Sequence, residues 1–385
     1  MALHELMSGA SERAGQPLRL LEARYLDYLS FWARFVVRAR KPFVIGITGS
    51  VGKTTTREVV AAVLKEAGES EIGLTWATPR NMNNSWGVPL TLLGYRHWVP
   101  RWNQEWLRAL AVPFRALRIA MGGRYPRNWV LEFAAGPTTD TERTVSLAPP
   151  DIGVVTAVGP AHLNAFGTVE KIAEVKGAVV RAVPPDGLVI LGADNAVASG
   201  MDRFAEAPVR KVDGKGRALS GAIARVIADR LGVPAEVVDR ALTRPVVVGG
   251  RQEAIGLGES TVMNDAFNAN PLSMEHGLET LRERARPGQR RVAVLGHMAE
   301  LGPEEERYHR EAAPVARRCA DLVVGVGPLA KLYEPDLWFE TSHACAEAVP
   351  SFAQRGDYVL VKGSHSSHLG VVTEALRREL AGESG

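Results

Sequence analysis

A glycine-rich loop between a strand and a helix constrains this fold more than any other feature of the sequence. Residues 43–47 read FVIGI, which is typical of a buried parallel strand. Residues 48–56 continue with TGSVGKTTT, and apolar residues then recur at helical spacing through residue 67. This order predicts a phosphate-binding loop, because glycine lets backbone N–H groups approach phosphate oxygens and the helix N-terminus adds positive charge.

Two side chains of this loop carry the expected chemistry. Lys53 is placed to reach the β- and γ-phosphates of ATP, and the Thr54 hydroxyl is placed to bind Mg²⁺. The strict pattern has glycine where this chain has Ile47, with Gly49 inside the loop instead. The alternative is a glycine-rich turn with an incidental Lys-Thr pair. The predicted nucleotide-binding residues of the loop are Gly49, Ser50, Val51, Gly52, Lys53, Thr54 and Thr55.

Length and composition narrow the class of protein. A chain of 385 residues exceeds one ordinary core, so two or three domains are expected. A hydrophobic fraction of 46% and a charged fraction of 23% exclude a mostly disordered chain, a collagen and a disulfide-stapled miniprotein. A net charge of +3 predicts no nucleic-acid partner. Cys319 and Cys345 have no zinc or redox spacing, which favours a reducing cytoplasm.

The segment before the loop predicts one long amphipathic helix. Residues 18–40 combine apolar and aromatic residues with interrupting charges such as Arg24, Asp27 and Arg34. The sequence has no secretory signal and no run of 18 apolar residues, so we expect no membrane-spanning helix. Two placements of the predicted helix remain open, namely packing on the body of the protein or lying on a membrane surface.

Further motifs follow the loop in an order that resembles the Mur ligase family, and within it the MurF branch. The resemblance spans about residues 41–376. It is carried by an Asn-rich stretch, an apolar strand that ends in glutamate, a Gly-Pro-Ala-His turn, a Lys-Gly pair and several glycine- and asparagine-rich segments. In chain order these are residues 80–93, 130–133, 159–163, 176–177, 250–251, 264–271, 295–302 and 362–364.

The resemblance implies a fold and a reaction. The fold is α/β, with a central ATP-binding phosphate-loop domain at residues 42–245 and a C-terminal Rossmann-like ligase domain at 246–385, after an N-terminal helical segment at 1–41. The reaction is ATP-dependent joining of a carboxylate to an amine through an acyl phosphate. The MurF branch adds D-alanyl-D-alanine to a UDP-muramoyl tripeptide in peptidoglycan synthesis.

The same resemblance assigns roles to individual residues. Glu132 binds magnesium, His162 is a neighbour or ligand of a second magnesium, Lys176 is carbamylated so that it becomes an anion, and Arg251 reaches the γ-phosphate. The expected metal site is Thr54, Glu132, His162 and Lys176. The nucleotide is also contacted by Asn264, Asp265, Asn268 and Asn270, and the substrates by Asn83, Asn84, Lys362 and Ser364.

Each of these roles has a structural alternative. Glu132 could be a solvated strand end, His162 a turn residue and Lys176 an ordinary surface lysine. Residues 268–271 could form a helix-capping turn, because asparagine is a good N-cap and proline suits the first turn; both interpretations can hold together.

Two departures from the branch bear on the substrate. Only about 40 residues precede the first strand, fewer than a separate UDP-sugar domain needs. Residues 95–128 look like an insertion rich in tryptophan and arginine. Its spacing predicts a helix with an aromatic stripe at Trp102, Trp106, Leu110 and Phe114. This stripe could pack in the core against residues 18–40, form a substrate lid or lie on a membrane. We expect the acid substrate to contact residues 18–40 and this insertion.

Three functions remain open at this point. The first is a MurF-like ligase with small-molecule or peptide substrates. The second is the same chemistry on a cofactor, a poly-amino acid or a specialised metabolite. The third is a non-catalytic nucleotide-binding partner protein. The third is disfavoured because the chain retains all of the expected site residues together: Lys53, Thr54, Glu132, His162, Lys176 and Arg251. The oligomeric state is left open.

Overall fold

The computed structural model describes residues 16–97, 105–136, 140–244 and 249–382. The chain forms two compact units. The first comprises the described residues up to Val158 together with Glu170–Val246, and the second comprises Gly159–Val169 together with the chain from Val247 onward. Within the four described ranges, no helix has the length and apolar character needed to cross a membrane.

The first unit is built on a six-stranded, wholly parallel sheet with the order β2-β3-β1-β4-β5-β6. Its strands are β1 (Phe43–Thr48), β2 (Thr75–Ala77), β3 (Asn128–Glu132), β4 (Ile152–Val155), β5 (Leu188–Gly192) and β6 (Val209–Val212). Its helices are α1 (Gln16–Arg40), α2 (Lys53–Ala67), α3 (Glu69–Ile72), α4 (Gly87–Leu92), α5 (Glu105–Ala120), α6 (Thr141–Leu147), α8 (Val169–Arg181), α9 (Ala196–Ser199), α10 (Gly216–Arg230) and α11 (Ala235–Thr243), with a 3₁₀ turn at Gly200–Phe204.

This sheet separates two apolar cores, because successive side chains of a strand point to opposite faces. Ile45 and Ile47 of β1 pack with apolar residues of α2, α10 and α11. Val44 of the same strand faces the other core, which contains residues of α1, α4 and α5. Helices cover both faces, as expected for parallel strands.

Helices α1 and α5 lie side by side and run in the same direction. The Tyr28 hydroxyl donates to the Ala109 carbonyl at 2.5 Å, and Arg40 donates to the Ile119 carbonyl at 3.5 Å. Leu29, Ala33 and Val36 of α1 are buried. The predicted packing of residues 18–40 on the body of the protein is therefore confirmed for this face of the helix.

Helix α5 does not turn the predicted stripe to the core. Leu110 and Phe114 are exposed, and Val112, Ala116 and Ile119 occupy the buried positions instead. The core-packing alternative for Leu110 and Phe114 is therefore wrong, because the buried face of α5 lies on the opposite side of the helix. The tryptophans of the insertion lie outside the described residues or side chains: Trp98, Trp102 and Trp106.

The second unit is built on a six-stranded sheet with the order β11-β10-β9-β12-β8-β7. All neighbours are parallel except β7, which is antiparallel to β8. Its strands are β7 (Glu253–Leu257), β8 (Ser260–Asp265), β9 (Arg291–Leu295), β10 (Leu322–Val326), β11 (Leu337–Phe339) and β12 (Tyr358–Lys362). Its helices are α7 (Leu163–Phe166), α12 (Pro271–Arg284), α13 (Glu305–Cys319), α14 (Ser342–Phe352) and α15 (Gly370–Ala381), with 3₁₀ turns at Gly302–Glu304, Pro328–Tyr333 and His365–Ser367. The predicted α/β class is confirmed.

Candidate active site

The glycine-rich loop leaves β1 and leads directly into α2, which begins at Lys53. Gly49 has φ +147°, and a Cβ at this position would lie 2.1 Å from the Thr156 hydroxyl oxygen. Only glycine fits there, so the loop backbone lies close against the residues that follow β4. The Lys53 ammonium donates to the Gly49 carbonyl at 2.6 Å, which places the cation over its own loop.

The remaining residues of the loop are held by the backbone that follows β4. The Ser50 amide donates to the Ala157 carbonyl at 2.6 Å, and Val51 forms a bridge with the same residue. The Thr156 hydroxyl donates to the Val51 carbonyl at 2.5 Å. Thr55 is half-buried in the first turn of α2. This bracing fixes the loop before any phosphate binds.

Glu132 is the last residue of β3 and is almost completely buried. Its partner in the neighbouring strand is Ile47, so the carboxylate lies at the same edge of the sheet as the loop. Thr54 donates to its two oxygens at 3.1 and 3.2 Å, Asn83 donates at 2.8 Å and Arg57 donates at 3.1 Å. The predicted alternative, a solvated strand end, is wrong because the side chain is surrounded by donors.

Two oxygen-bearing side chains of this site, Thr54 and Glu132, suit a magnesium ion. The Thr54 hydroxyl and the Glu132 carboxylate are hard oxygen ligands held within hydrogen-bond distance of each other, which is the donor type that Mg²⁺ prefers. The described residues contain no group of three or more His, Cys, Asp and Glu side chains arranged to hold a metal. With only Thr54 and Glu132 as side-chain ligands, an octahedral magnesium ion would keep positions open for water or phosphate oxygens.

Lys176 of α8 is 1% exposed, so the surface-lysine alternative is wrong. Burial lowers the pKa of its ammonium well below the usual range, and the positive charge of Lys53 lowers it further. The Glu132 carboxylate opposes this decrease. The three side chains thus share one electrostatic environment, in which Lys176 favours the neutral amine.

The second unit has its own buried charged group, at the carboxyl ends of β8 and β12. The Lys362 ammonium donates to the Asp265 carboxylate at 2.7 Å and to the Asn268 carbonyl at 3.2 Å. Gly277 of α12 makes room for this lysine, because a Cβ at Gly277 would lie 2.8 Å from its Cδ. Asp265 was predicted to contact nucleotide and Lys362 to contact substrate, and the structure pairs them with each other.

Other predicted residues of this unit stabilise its loops. The Asn270 side chain caps α12 by accepting from the Ser273 amide at 3.0 Å, and the reciprocal bond completes a capping box. The Asn264 side chain accepts from the Ala266 amide at 3.3 Å. The Ser364 hydroxyl accepts from the Ala299 amide at 2.8 Å. The helix-capping interpretation of residues 268–271 is confirmed, with Pro271 in the first turn.

His162 and Arg251 both have partners within the second unit. His162 has a left-handed backbone with φ 56°, and its Nδ1 contacts the Glu300 carboxylate. The other ring nitrogen is the one that a metal would use. The Arg251 guanidinium lies 4.5 Å from the centre of the Phe267 ring.

Asn84, the neighbour of Asn83, has a structural role. Its side-chain oxygen accepts from the amides of Trp86 and Gly87 at 3.2 and 2.8 Å, at the start of α4. The Trp86 ring lies 6.0 Å from the Tyr25 ring of α1, measured between centroids. Helix α1 is therefore adjacent, at Tyr25, to the loop that positions Asn83 against Glu132.

Sequence reasoning missed Arg57, which is 1% exposed and contacts both Glu132 and Glu58. The signal was its position three residues after Thr54 in a helix, which places both on one face. It also missed Thr78, whose hydroxyl accepts from the Glu132 amide at 3.0 Å, and Thr156. No sequence signal identified these two, because their partners are distant in the chain.

Comparison with known proteins tests the resemblance independently. The family description "Mur ligase middle domain" matches residues 47–99 and 115–230, and "Mur ligase, glutamate ligase domain" matches residues 250–365. The chain is 30% identical to the UDP-N-acetylmuramoyl-tripeptide–D-alanyl-D-alanine ligase of Mycobacterium tuberculosis (strain CDC 1551 / Oshkosh) over 401 residues, covering 86% of this chain and 72% of the relative. It is 28% identical to the ligase of the same name from Escherichia coli (strain K12), covering 78% of this chain and 67% of the relative.

The fold agrees as well. The MurF ligase of Thermotoga maritima, solved in complex with ADP, superposes with a TM-score of 0.75 at 23% identity, covering 93% of this chain and 85% of that one. The sequence comparisons settle the family and the reaction class, and the solved structure settles the fold. The chain belongs to the Mur ligase family, with the MurF ligases among its relatives, and it is an ATP-dependent amide-bond-forming ligase.

Proposed function

We propose that the protein joins the carboxylate of a peptide-bearing acid to the amine of a dipeptide, as the names of its relatives describe for UDP-N-acetylmuramoyl-tripeptide and D-alanyl-D-alanine. The observation that carries the proposal is the site in the first unit, where Thr54 of the phosphate loop bonds the buried Glu132 carboxylate and the charges of Glu132 and Lys53 both act on the buried Lys176. The proposed domain limits are residues 1–41, 42–245 and 246–385.

The proposed reaction has two steps. A carboxylate oxygen of the acid attacks the γ-phosphorus of ATP, the bond between this phosphorus and the β–γ bridging oxygen breaks, and ADP leaves. The amine then attacks the carbonyl carbon of the acyl phosphate, inorganic phosphate departs with the bonding electrons, and the amine loses a proton. Charge on phosphate oxygens builds up in the first step, so fixed cations such as Lys53 supply most of the stabilisation.

Magnesium, when bound, would neutralise phosphate charge during this transfer. We propose that Thr54 and Glu132 hold it, and that Arg57 and Asn83 orient the Glu132 carboxylate through the bonds described above. His162 would serve a second ion through the ring nitrogen that faces away from Glu300.

We propose that Lys176 is carbamylated. A neutral amine adds to CO₂ and releases one proton, and the lowered pKa of Lys176 raises the fraction of neutral amine available for this reaction. The product is an anion, which turns the repulsion by Lys53 into attraction. A carbamate would give the magnesium and phosphate site the oxygen donor that a bare lysine cannot provide.

The residues of the second unit have proposed roles in binding. Arg251 would contact the γ-phosphate, and the nucleotide would meet Asn264, Asp265, Asn268 and Asn270; Lys362 and Ser364 would contact substrate. Asn83, Asn84 and the adjacent Tyr25 and Trp86 rings offer a polar and aromatic surface for the acid. The free thiols Cys319 and Cys345 favour a reducing cytoplasm.

The test is a ligation assay with ATP, Mg²⁺, UDP-N-acetylmuramoyl-tripeptide and D-alanyl-D-alanine. We expect ADP release that requires both the acid and the dipeptide, and a product whose mass is that of the two joined with loss of water. With the carboxylate of the acid labelled with ¹⁸O, one labelled oxygen should appear in inorganic phosphate. Phosphate without label would refute the acyl phosphate.

A panel of other acids separates the two enzymatic alternatives. ADP release that depends on a different acid, with none for the muramoyl peptide, would assign the same chemistry to another substrate. ATP binding without ADP release under every condition would show a passive nucleotide-binding protein.

A further inference from the structure

Large apolar side chains are exposed mainly on one part of the first unit. Of nine such side chains in the described part of the chain, seven belong to α1, to α5 or to Met121 immediately after α5. They are Leu21, Phe31, Phe35, Leu110, Phe114, Leu117 and Met121. We propose that the outer face of α1 and α5 is a docking surface for an anionic phospholipid bilayer. The proposal does not depend on the substrate.

The stripe on α5 has helical spacing. Leu110, Phe114, Leu117 and Met121 follow one another at intervals of four, three and four residues, so they form one face. They are between 41 and 81% exposed, whereas Val112, Ala116 and Ile119 on the opposite face are buried. The stripe therefore points away from the core of the unit.

Helix α1 adds to this face. Phe31 and Phe35 are 62 and 36% exposed, and both pack edge-on against Trp32, with ring centroids 5.3 and 5.7 Å from the indole. Because α1 and α5 run parallel and in contact, the two exposed stripes extend along the same layer of the unit. Most of the exposed large apolar side chains are thus grouped on two adjacent helices and the residue after α5 rather than scattered singly over the described surface.

The charge of the two helices complements an anionic surface. Helices α1 and α5 together contain eight arginines and three acids, Glu22, Asp27 and Glu105. The whole chain has 46 basic and 43 acidic residues, so the excess of five cations in these helices exceeds the net charge of +3 and leaves the remainder net acidic. Each basic residue near an anionic leaflet adds to its attraction.

A groove of about 520 Å³ lies on the outer side of α1, where apolar and cationic groups alternate. Phe31 and Phe35 line it together with Arg34, Arg38 and Arg143. Asp27, the acid of this groove, is paired with Arg143 at 2.8 Å. Arginine forks bind phosphate well, so the groove suits a lipid headgroup beside inserted phenylalanine rings.

The same charges argue against a second copy of the chain as the occupant. Two such faces brought together would oppose their excess cations, which weakens association. A bilayer with anionic lipid satisfies both features at once, since the apolar stripe enters the interface and the arginines meet phosphate.

The test is sedimentation of the full chain with vesicles. We expect binding to vesicles of equal parts phosphatidylcholine and phosphatidylglycerol, little binding to phosphatidylcholine alone, and weakening as salt is raised. Phe114→Ser combined with Met121→Ser should reduce the partition coefficient roughly tenfold or more. Arg38→Glu combined with Arg118→Glu should reduce it by a similar factor on anionic vesicles.

Matched controls lie outside the face. Val209 and Arg210 of β6 are also exposed, so Val209→Ser and Arg210→Glu should leave vesicle binding unchanged. Circular dichroism should match the original protein in all four variants, and ADP release in solution should match it in the Val209→Ser and Arg210→Glu controls. Equal binding to neutral and anionic vesicles, or no effect of the face variants, would overturn the proposal. A dimer in solution that dissociates in Phe114→Ser would assign the face to a second copy instead.

Discussion

In the described part of the chain, each unit buries one lysine almost completely, Lys176 in the first and Lys362 in the second. The charges that surround these two lysines differ. Lys362 in the second unit lies 2.7 Å from the Asp265 carboxylate, which balances its charge. Lys176 in the first unit is acted on by the like charge of Lys53 and by Glu132, whose oxygens already accept from Thr54, Arg57 and Asn83. Burial lowers the pKa of Lys176, the like charge of Lys53 lowers it further, and the Glu132 carboxylate opposes this decrease.

The difference shows that burial alone does not assign a role to a lysine. A buried ammonium paired with a carboxylate is a positioned charge, and removing one partner leaves the other uncompensated. A buried lysine beside another cation is pushed towards the neutral amine, which is a nucleophile. We therefore treat Lys362 as a fixed cation and Lys176 as a group to be modified.

Lys53→Ala should have the largest effect on activity. It removes the cation that neutralises phosphate charge in the transition state, and we expect kcat for ADP release to fall by about 1,000-fold or more. It also removes the like charge that lowers the pKa of Lys176. The pKa of Lys176 should then rise, and the surroundings of Lys176 and Lys362 would differ less. The measurement is ADP release at saturating substrates; turnover near that of the original protein would contradict the role of Lys53.

Lys176→Ala tests the other half of the comparison. We expect a loss of roughly 100-fold or more in kcat, because the carbamate that we propose on this residue cannot form. Acetate or formate should restore part of the activity of the Ala variant by filling the vacated space. The same anions should not restore Lys53→Ala, which is the matched control.

Lys362→Met and Asp265→Asn test the paired lysine through stability. Lys362→Met leaves a buried carboxylate without its partner, and we expect it to lower the free energy of unfolding by about 3 kcal/mol. The double variant should lose less than the sum of the two single losses, because both charges are gone. Urea unfolding of the four proteins measures this coupling. Additive losses would mean that the pair is not coupled.

Lys176→Met should have the smallest effect, which is on the free energy of unfolding. It should stabilise the protein, whereas Lys362→Met should destabilise it. The folded protein holds the pKa of Lys176 below that of the unfolded chain, so unfolding takes up a proton and stability rises with pH. In CO₂-free buffer at neutral pH, we expect the Met variant to be more stable than the original by about 1–2 kcal/mol. The difference should shrink as pH approaches the ordinary lysine value of roughly 10.4.

Thermal unfolding across pH checks this last expectation. Lys362→Met serves as the contrast, since it should be less stable than the original protein at neutral pH. A Met variant at position 176 that is destabilised in CO₂-free buffer would show that the amine has a stabilising partner.

The comparison also shows what a sequence can and cannot predict. The phosphate loop and Glu132 follow from local order, since strands end at one edge of a parallel sheet and glycines mark the turn. The pairing of Lys362 with Asp265 joins residues 97 positions apart, and it depends on the space left by Gly277. No spacing in the sequence reveals such a contact.

Helix α5 illustrates a different limit. Its periodicity predicted a helix with an apolar stripe, and the helix is present. Periodicity alone did not tell which apolar side faces the core, because Leu110 and Phe114 form one apolar row and Val112, Ala116 and Ile119 form another. The small and β-branched side chains of α5 are buried on the side that faces the core, and Leu110 and Phe114 are exposed to solvent.

The chain enters the second unit early, at Gly159, and leaves it again after Val169. Glu300, the partner of His162, is 138 residues further along. During synthesis from the N-terminus, the strands and helices of the first unit emerge before that partner exists. His162 can reach its left-handed conformation against Glu300 only late in translation, so a nascent chain acquires its nucleotide loop well before this histidine is positioned.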